Sequence, residues 1–217
     1  LRDGTKVWIN SGTEVRFPVN MEGKERSIYV DGEIYIEVAK DKERPFYVHT
    51  SGFDVRVYGT KFNVTSYKAD KEKSVVLVEG SVSVCSKEET KEKEVKEIFL
   101  HPDQMYHTTN RGPMITHVNA LQYITWKDGI WQFTSESLES IALRLSRYYG
   151  VDIHCDEKTA VKSCTGKLIL FDDVDKTLRI IEEIFGVRYE TNQNEIIISM
   201  NPVSYTHLRA HETLMNL

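Results

Sequence analysis

Two rhythms of apolar and polar positions run along the 217 residues, and they change over near residue 120. Upstream, short segments alternate with the period of a strand that buries one face. Residues 6–9, 27–30, 34–38, 46–48, 55–58, 62–64, 75–78 and 81–84 follow this pattern. Asp3-Gly4, Asp31-Gly32 and Glu79-Gly80 stand between or beside them, where glycine supplies the positive φ of a tight turn. No helical period of useful length precedes residue 120. Many short strands separated by turn signals predict an all-β unit, built as a sandwich, barrel or solenoid.

Downstream, strands alternate with helices. Residues 130–133 read as a strand, and Leu138, Ile141, Ala142, Leu145 and Tyr149 then fall at helical spacing. Thr134, Ser135 or Ser137 can cap that helix, and Gly150 can stop it. Strands are predicted at 151–154 and 165–170. A second helix runs from Asp173 with Val174, Leu178, Ile181 and Phe185 on one face, and Gly186 ends it. Residues 187–190 resume a strand, Asn192-Gln193-Asn194 turns, and 195–199 closes the series. The order is β-α-β-β-α-β-β, with an internal echo. Tyr149-Gly150-Val151 recurs one unit later as Phe185-Gly186-Val187, which suggests a duplicated β-α-β module of about 35 residues per copy.

The predicted organisation is an all-β domain over residues 1–119, a linker over 120–128 and an α+β domain over 129–200. Residues 201–217 continue neither rhythm and read as a non-native or disordered tail. The charged run at 86–97 reads as a solvated hairpin tip or a disordered loop.

Charge and composition narrow the function. A net charge of -5 and a pI near 5.8 give no basic stripe, so nucleic acid is not an expected partner. No apolar run of about 18 residues is present, and no signal peptide is visible. Leu1-Arg2-Asp3-Gly4 already reads as turn and strand, so the chain reads as cut from a longer protein, and any export or anchoring segment would lie upstream. Cys85, Cys155 and Cys164 lack CxxC spacing. Cys155 and Cys164 flank a short connection, and a disulfide or two unrelated small apolar groups both fit.

The chemistry-bearing residues form no familiar constellation. None of the seven histidines lies in an HExxH or a comparable ligand pattern; His207 and His211 are four apart but belong to the odd tail. No GxSxG elbow occurs, and Gly59-Thr60-Lys61-Phe62 lacks the first glycine of a phosphate loop. Asp172-Asp173 reads as a helix cap, and Glu33 with Glu37 would need a deep cleft to act as a carboxylate pair. Asn63-Val64-Thr65 matches a glycosylation sequon but falls on a predicted strand. No catalytic residue, cofactor or metal is expected.

One set of phrases is specific in its order. It runs Leu1-Arg2-Asp3-Gly4-Thr5-Lys6-Val7-Trp8-Ile9-Asn10, then Asp31-Gly32-Glu33-Ile34-Tyr35-Ile36-Glu37-Val38, then Arg44-Pro45-Phe46-Tyr47-Val48-His49-Thr50. Val57-Tyr58-Gly59-Thr60-Lys61-Phe62-Asn63-Val64, Val76-Leu77-Val78-Glu79-Gly80-Ser81-Val82-Ser83-Val84 and Leu100-His101-Pro102-Asp103-Gln104 follow. This series resembles the FecR family. Trp126-Lys127-Asp128-Gly129-Ile130-Trp131-Gln132-Phe133 and the helix ending at Tyr149-Gly150-Val151 resemble the family's C-terminal domain in Bacteroidetes-like members. That domain looks like the small β-α-β module of secretins and TonB-dependent transducers.

The resemblance implies the periplasmic, signal-receiving region of a single-pass inner-membrane anti-sigma regulator. Such proteins hold an extracytoplasmic-function sigma factor through a cytoplasmic segment ahead of a membrane helix, and both would lie upstream of this chain. The periplasmic part would sense the signalling domain of a TonB-dependent outer-membrane transporter. A solenoid-like β half is implied as well, with Trp8, Phe46, Phe62 and Val64 as core. The alternative is a periplasmic carbohydrate- or ligand-binding β protein, which would show exposed rings clustered in a groove. For the partner surface, the expectation falls on the last strand. Ile196 and Ile198 face one way and Ile197 the other, which fits either an internal strand with all three in the core or a free edge that, flanked by Tyr189, would accept a partner strand.

Overall fold

The computed structural model describes residues 1–87, 97–109, 112–192 and 195–201. Most of the charged run at 86–97, the Gln193-Asn194 part of the predicted turn, and the tail beyond Asn201 with His207 and His211 lie outside the described residues. The chain is mainly β, and it divides into two compact units, Leu1–Asp128 and Gly129–Leu217.

The first unit begins with β1 (Lys6–Ile9), β2 (Glu14–Arg16) and β3 (Arg26–Glu37). It continues with β4 (Phe46–His49), β5 (Phe53–Val57), β6 (Lys61–Ser66), β7 (Ser74–Glu79) and β8 (Val82–Ser86). It closes with β9 (Glu97–Leu100), β10 (Gln104–Thr109) and β11 (Gly112–His117). These eleven strands form one sheet in the order β11-β10-β7-β6-β3-β4-β5-β8-β9, with β1 and β2 also on β3.

β3 holds the unit together. Its first half runs parallel to β4 and its second half antiparallel to β6. The segments 27–30 and 34–38, expected as two strands around a turn, are thus one twelve-residue strand. Gly32 lies inside it rather than in a turn. Its φ is +140°, and a side chain there would overlap Thr13, whose hydroxyl accepts from Glu33 N at 2.9 Å. Glycine is required here for close approach.

Inward-facing side chains from both halves of β3 and its neighbours meet in one core. Ile28, Ile34, Ile36, Phe46, Val48, Phe53, Phe62, Val64, Leu77, Val84 and Tyr106 are all inaccessible to solvent. Each such side chain contributes roughly 1.5–3 kcal/mol of transfer free energy. Trp8 differs from expectation: it is half-buried and leans on Tyr35 with ring centroids 5.1 Å apart.

Two buried polar knots tie the strands. Arg26, with its side chain 1% exposed, pairs with Asp3 at 2.8 Å and donates to the Ala39 and Arg44 carbonyls, both at 3.0 Å. Glu33 accepts from Asn10 Nδ2 at 2.7 Å and from Asn63 Nδ2 at 3.0 Å. Residues 120–128, read from sequence as a linker, form a 3₁₀ helix (Ala120–Asp128). Its Trp126 is buried and donates to Asn63 Oδ1 at 3.1 Å.

The second unit contains β12 (Ile130–Ser137), α1 (Leu138–Tyr149), β13 (Asp152–Cys155), α2 (Glu157–Ala160) and β14 (Ser163–Ile169). α3 (Val174–Phe185), β15 (Val187–Asn192) and β16 (Glu195–Met200) complete it. Ser137 is the N-cap chosen for α1, its side chain accepting from Ser140 N, and Asp173 caps α3. Gly150 and Gly186 end the two helices in the left-handed region, at φ +67° and +62°. The single-turn α2 has no apolar period and was not visible in the pattern.

Candidate functional site

The second unit contains two separate sheets. β12 and β14 pair antiparallel, and β13-β16-β15 form a three-stranded sheet. The two β-α-β copies are therefore interleaved. The first strand of one pairs with the first strand of the other, and β16 joins their second strands. β16 runs parallel to β13 and antiparallel to β15.

This arrangement corrects the edge expected at the last strand. β16 is the central strand, paired on both sides, so it offers no edge to a partner. Ile196 and Ile198 are 3% and 1% exposed and pack on the same face as Ile153 and Val187. Ile197 is half-buried on the opposite face, between His154 on β13 and Glu190 on β15. Tyr189 pairs with Ile198 rather than flanking an open surface, and its hydroxyl lies 3.4 Å from Asp175 Oδ1. A proline at Ile197 would break the internal ladder, because residue 197 belongs to the set whose backbone groups face β15.

The true edges of this sheet, β13 and β15, are both plugged. Ser146 Oγ, in the last turn of α1, accepts from Ile153 N and donates to Ile153 O, each at 2.8 Å. Glu182 Oε1, in the last turn of α3, accepts from Tyr189 N at 3.2 Å. On each edge strand a side chain thus occupies one of the positions where a partner strand would hydrogen-bond.

The β12–β14 sheet is different. Leu170 N donates to Gly129 O, which fixes the alternation along the ladder. Leu168 and Gly166 then face β12, while the N–H groups of Lys167 and Ile169 point outward. β12 is irregular: its register shifts between Phe133 and Glu136, with Ser135 at φ +52°. β14 is regular over seven residues. Its inner face buries Cys164 and Leu168, and its outer face exposes Thr165, Lys167 and Ile169, the last by 54%. Beneath, Trp131 is 2% exposed, with the Arg144 guanidinium 4.6 Å above its ring and held by Glu136 at 3.1 Å.

Other residues singled out in the sequence serve the fold. Asn63 is 1% exposed with both ends of its amide engaged, so the sequon is inaccessible. Glu33 is committed to its knot, and Glu37 accepts from Tyr35 OH at 3.0 Å. Cys155 and Cys164 are both free thiols, on strands of different sheets. Rings do cluster on the first unit, where Tyr29, His49 and Tyr47 form a ladder with centroids 4.9 and 5.9 Å apart. They stack on one another in a row with His49 in the middle, and Tyr29 at one end remains 52% exposed.

Residues 1–83 match the family model described as FecR protein, and residues 130–198 match the one described as FecR, C-terminal. The chain belongs to the FecR family. The phrases quoted from the sequence of this FecR-family chain lie largely within those two spans. A crystal structure of a candidate anti-sigma factor from Parabacteroides distasonis ATCC 8503 at 1.65 Å resolution is 26% identical, with a TM-score of 0.82. The match covers 93% of this chain and 92% of that one. A second crystal structure of such a protein from the same organism, at 2.50 Å, gives 26% identity and a TM-score of 0.80 over the same shares. No curated protein is matched. The FecR assignment makes the chain part of a regulatory family. Among its described residues no helix is long and apolar enough to cross a membrane.

Proposed function

We propose that this chain is the periplasmic signal-receiving region of a membrane-anchored FecR-type anti-sigma regulator. In this reading it senses the signalling domain of a TonB-dependent outer-membrane transporter and so controls an extracytoplasmic-function sigma factor. The sigma factor is held by a segment outside this chain. The receiving element is the unit from Gly129 onward, and the partner adds a strand to the outer edge of β14.

One observation carries the choice of edge. Both edges of the three-stranded sheet are occupied by Ser146 and Glu182, while β14 is regular and turns the donors of Lys167 and Ile169 outward. Strand addition there would supply backbone hydrogen bonds, with exposed Ile169 giving apolar area to cover.

The test is Lys167→Pro, which removes an outward donor and leaves the pairing with β12 intact. Calorimetric titration of the full chain with the cognate signalling domain should show at least tenfold weaker binding for this variant. Lys176→Ala, at an exposed position on α3, is the control and should leave binding unchanged. Full-strength binding by the folded Lys167→Pro variant would refute the β14 edge.

A further inference from the structure

The exposed face of the three-stranded sheet carries a group of side chains that no sequence spacing announces. Asp152 and His154 stand two apart on β13 and therefore share a face. The parallel register sets Asp152 beside Glu195 and His154 beside Ile197 on β16. Residues more than forty positions apart in the chain thus converge. His154 Nε2 lies 3.1 Å from Glu195 Oε1, while Asp152 Oδ1 lies 3.8 Å from the ring's other nitrogen, Nδ1; an ion takes one ring nitrogen, so Asp152, with its side chain 73% exposed, joins it by a side-chain rotation. One ligand atom from each of the three falls within 4.8 Å of the others.

From this geometry we infer that Asp152, His154 and Glu195 form a binding site for a divalent transition-metal ion of the zinc class. Two donors, each about 2.0–2.1 Å from a tetrahedral ion, stand roughly 3.3 Å apart, close to the His154–Glu195 separation. One imidazole and two carboxylates suit zinc, cobalt or ferrous iron rather than calcium, which takes oxygen ligands alone. Strand pairing fixes the backbones beneath all three residues, with β16 held on both sides. Cys155 follows His154 directly but points to the other face, so it does not join the set. Three protein donors on an exposed face leave at least one position for water or for a ligand from another molecule.

The inference is independent of strand addition at β14, and its test needs no partner protein. Because His207 and His211 are also four apart, the parent for the test is the full chain carrying His207→Ala and His211→Ala. Cobalt(II) is titrated into this protein under reducing conditions and followed by its visible d–d absorption. Zinc is then added as competitor. The expected result is one equivalent of cobalt bound and displaced by zinc, with a zinc-dependent rise in melting temperature. His154→Ala should abolish stoichiometric binding and that rise, and Asp152→Asn should weaken binding about tenfold or more. All three side chains are at the surface, so the variants should keep the parent's circular dichroism. Absence of a stoichiometric site in the parent, or binding of equal strength in His154→Ala, would overturn the inference.

Discussion

Ser146 and Glu182 occupy equivalent positions in the two copies of the β-α-β module, and each reaches from the last turn of its helix to the edge strand that follows. The offset that relates them also relates Gly150 to Gly186 and Ile153 to Tyr189. Ala142, Leu145 and Tyr149 likewise map onto Leu178, Ile181 and Phe185. The two copies share the position of the plug and differ in its chemistry, a hydroxyl that both accepts and donates in the first and a carboxylate that only accepts in the second.

The two plugs should differ in their effect on stability. Ser146→Ala strips partners from both backbone groups of Ile153, a residue only 3% exposed, and should cost about 1–3 kcal/mol. Glu182→Ala frees one N–H of a half-buried residue that water can reach, and should cost under about 1 kcal/mol. Urea denaturation of the two variants checks the order; a larger loss for Glu182→Ala would contradict it.

The Asp3–Arg26 pair should give the first unit an acid-sensitive stability. Burial would push the Asp3 carboxyl up. Hydrogen bonds from the Thr5 backbone and hydroxyl and from the Arg26 guanidinium outweigh it and hold the carboxyl below its ordinary value. A folded-state pKa below the unfolded one adds stability that is complete above the unfolded value. That stability drains away as the pH falls below about 4 and on through the folded value. Asp3→Asn leaves Arg26 buried without its counter-charge and should cost about 3 kcal/mol at neutral pH. In paired melts at stepped pH, the gap between wild type and variant should stay constant above pH ~5 and shrink below pH ~4. A gap that is level throughout would show that the charge is not the source.

Trp126 offers a probe of the 3₁₀ helix. Trp126→Phe keeps most of the apolar surface but leaves Asn63 Oδ1 short of a donor at a site closed to water, at a cost of about 1–3 kcal/mol. The same substitution should remove a blue-shifted component from the tryptophan emission. Emission that loses only a red-shifted component would mean that Trp126 is solvated.

The thiols should be sluggish. Burial raises the Cys155 pKa to about 11, and burial raises those of Cys85 and Cys164 as well. Reaction of Cys155 with a disulfide reagent near pH 8 should be on the order of a hundredfold slower in the native protein than in urea. Three equivalents should react rapidly after unfolding, since the chain has three cysteines and none is bridged. A native chain that releases three equivalents at once would refute this.

Local signals carried the sequence reading far, and long-range pairing defeated it. The faces of α1 and α3, with Ser137, Gly150 and Gly186 at their ends, were legible because a helix and its caps are written in adjacent residues. The four residues of α2 are too few to show a period. Three consecutive isoleucines announce a strand with apolar residues on both faces, but not which neighbours it has, so an edge and an internal strand fit the pattern alike. Arg26 gave no sign of burial, because its partner Asp3 and its acceptor carbonyls come from other segments. The Asp152–His154–Glu195 group arises only once β13 and β16 are set in parallel register, which no local pattern encodes.

The central place of β16 also bears on the order in which the molecule can be made. Among the described residues it is the last strand to be synthesised, yet β13 and β15 both depend on it for their pairing. Until residue 200 is free to move, the first copy has made half a sheet with nothing to lie against. The three-stranded sheet therefore cannot form strand by strand as the chain emerges; its pairing waits for β16. A chain interrupted before Glu195 would leave β13 and β15 without the strand that joins them.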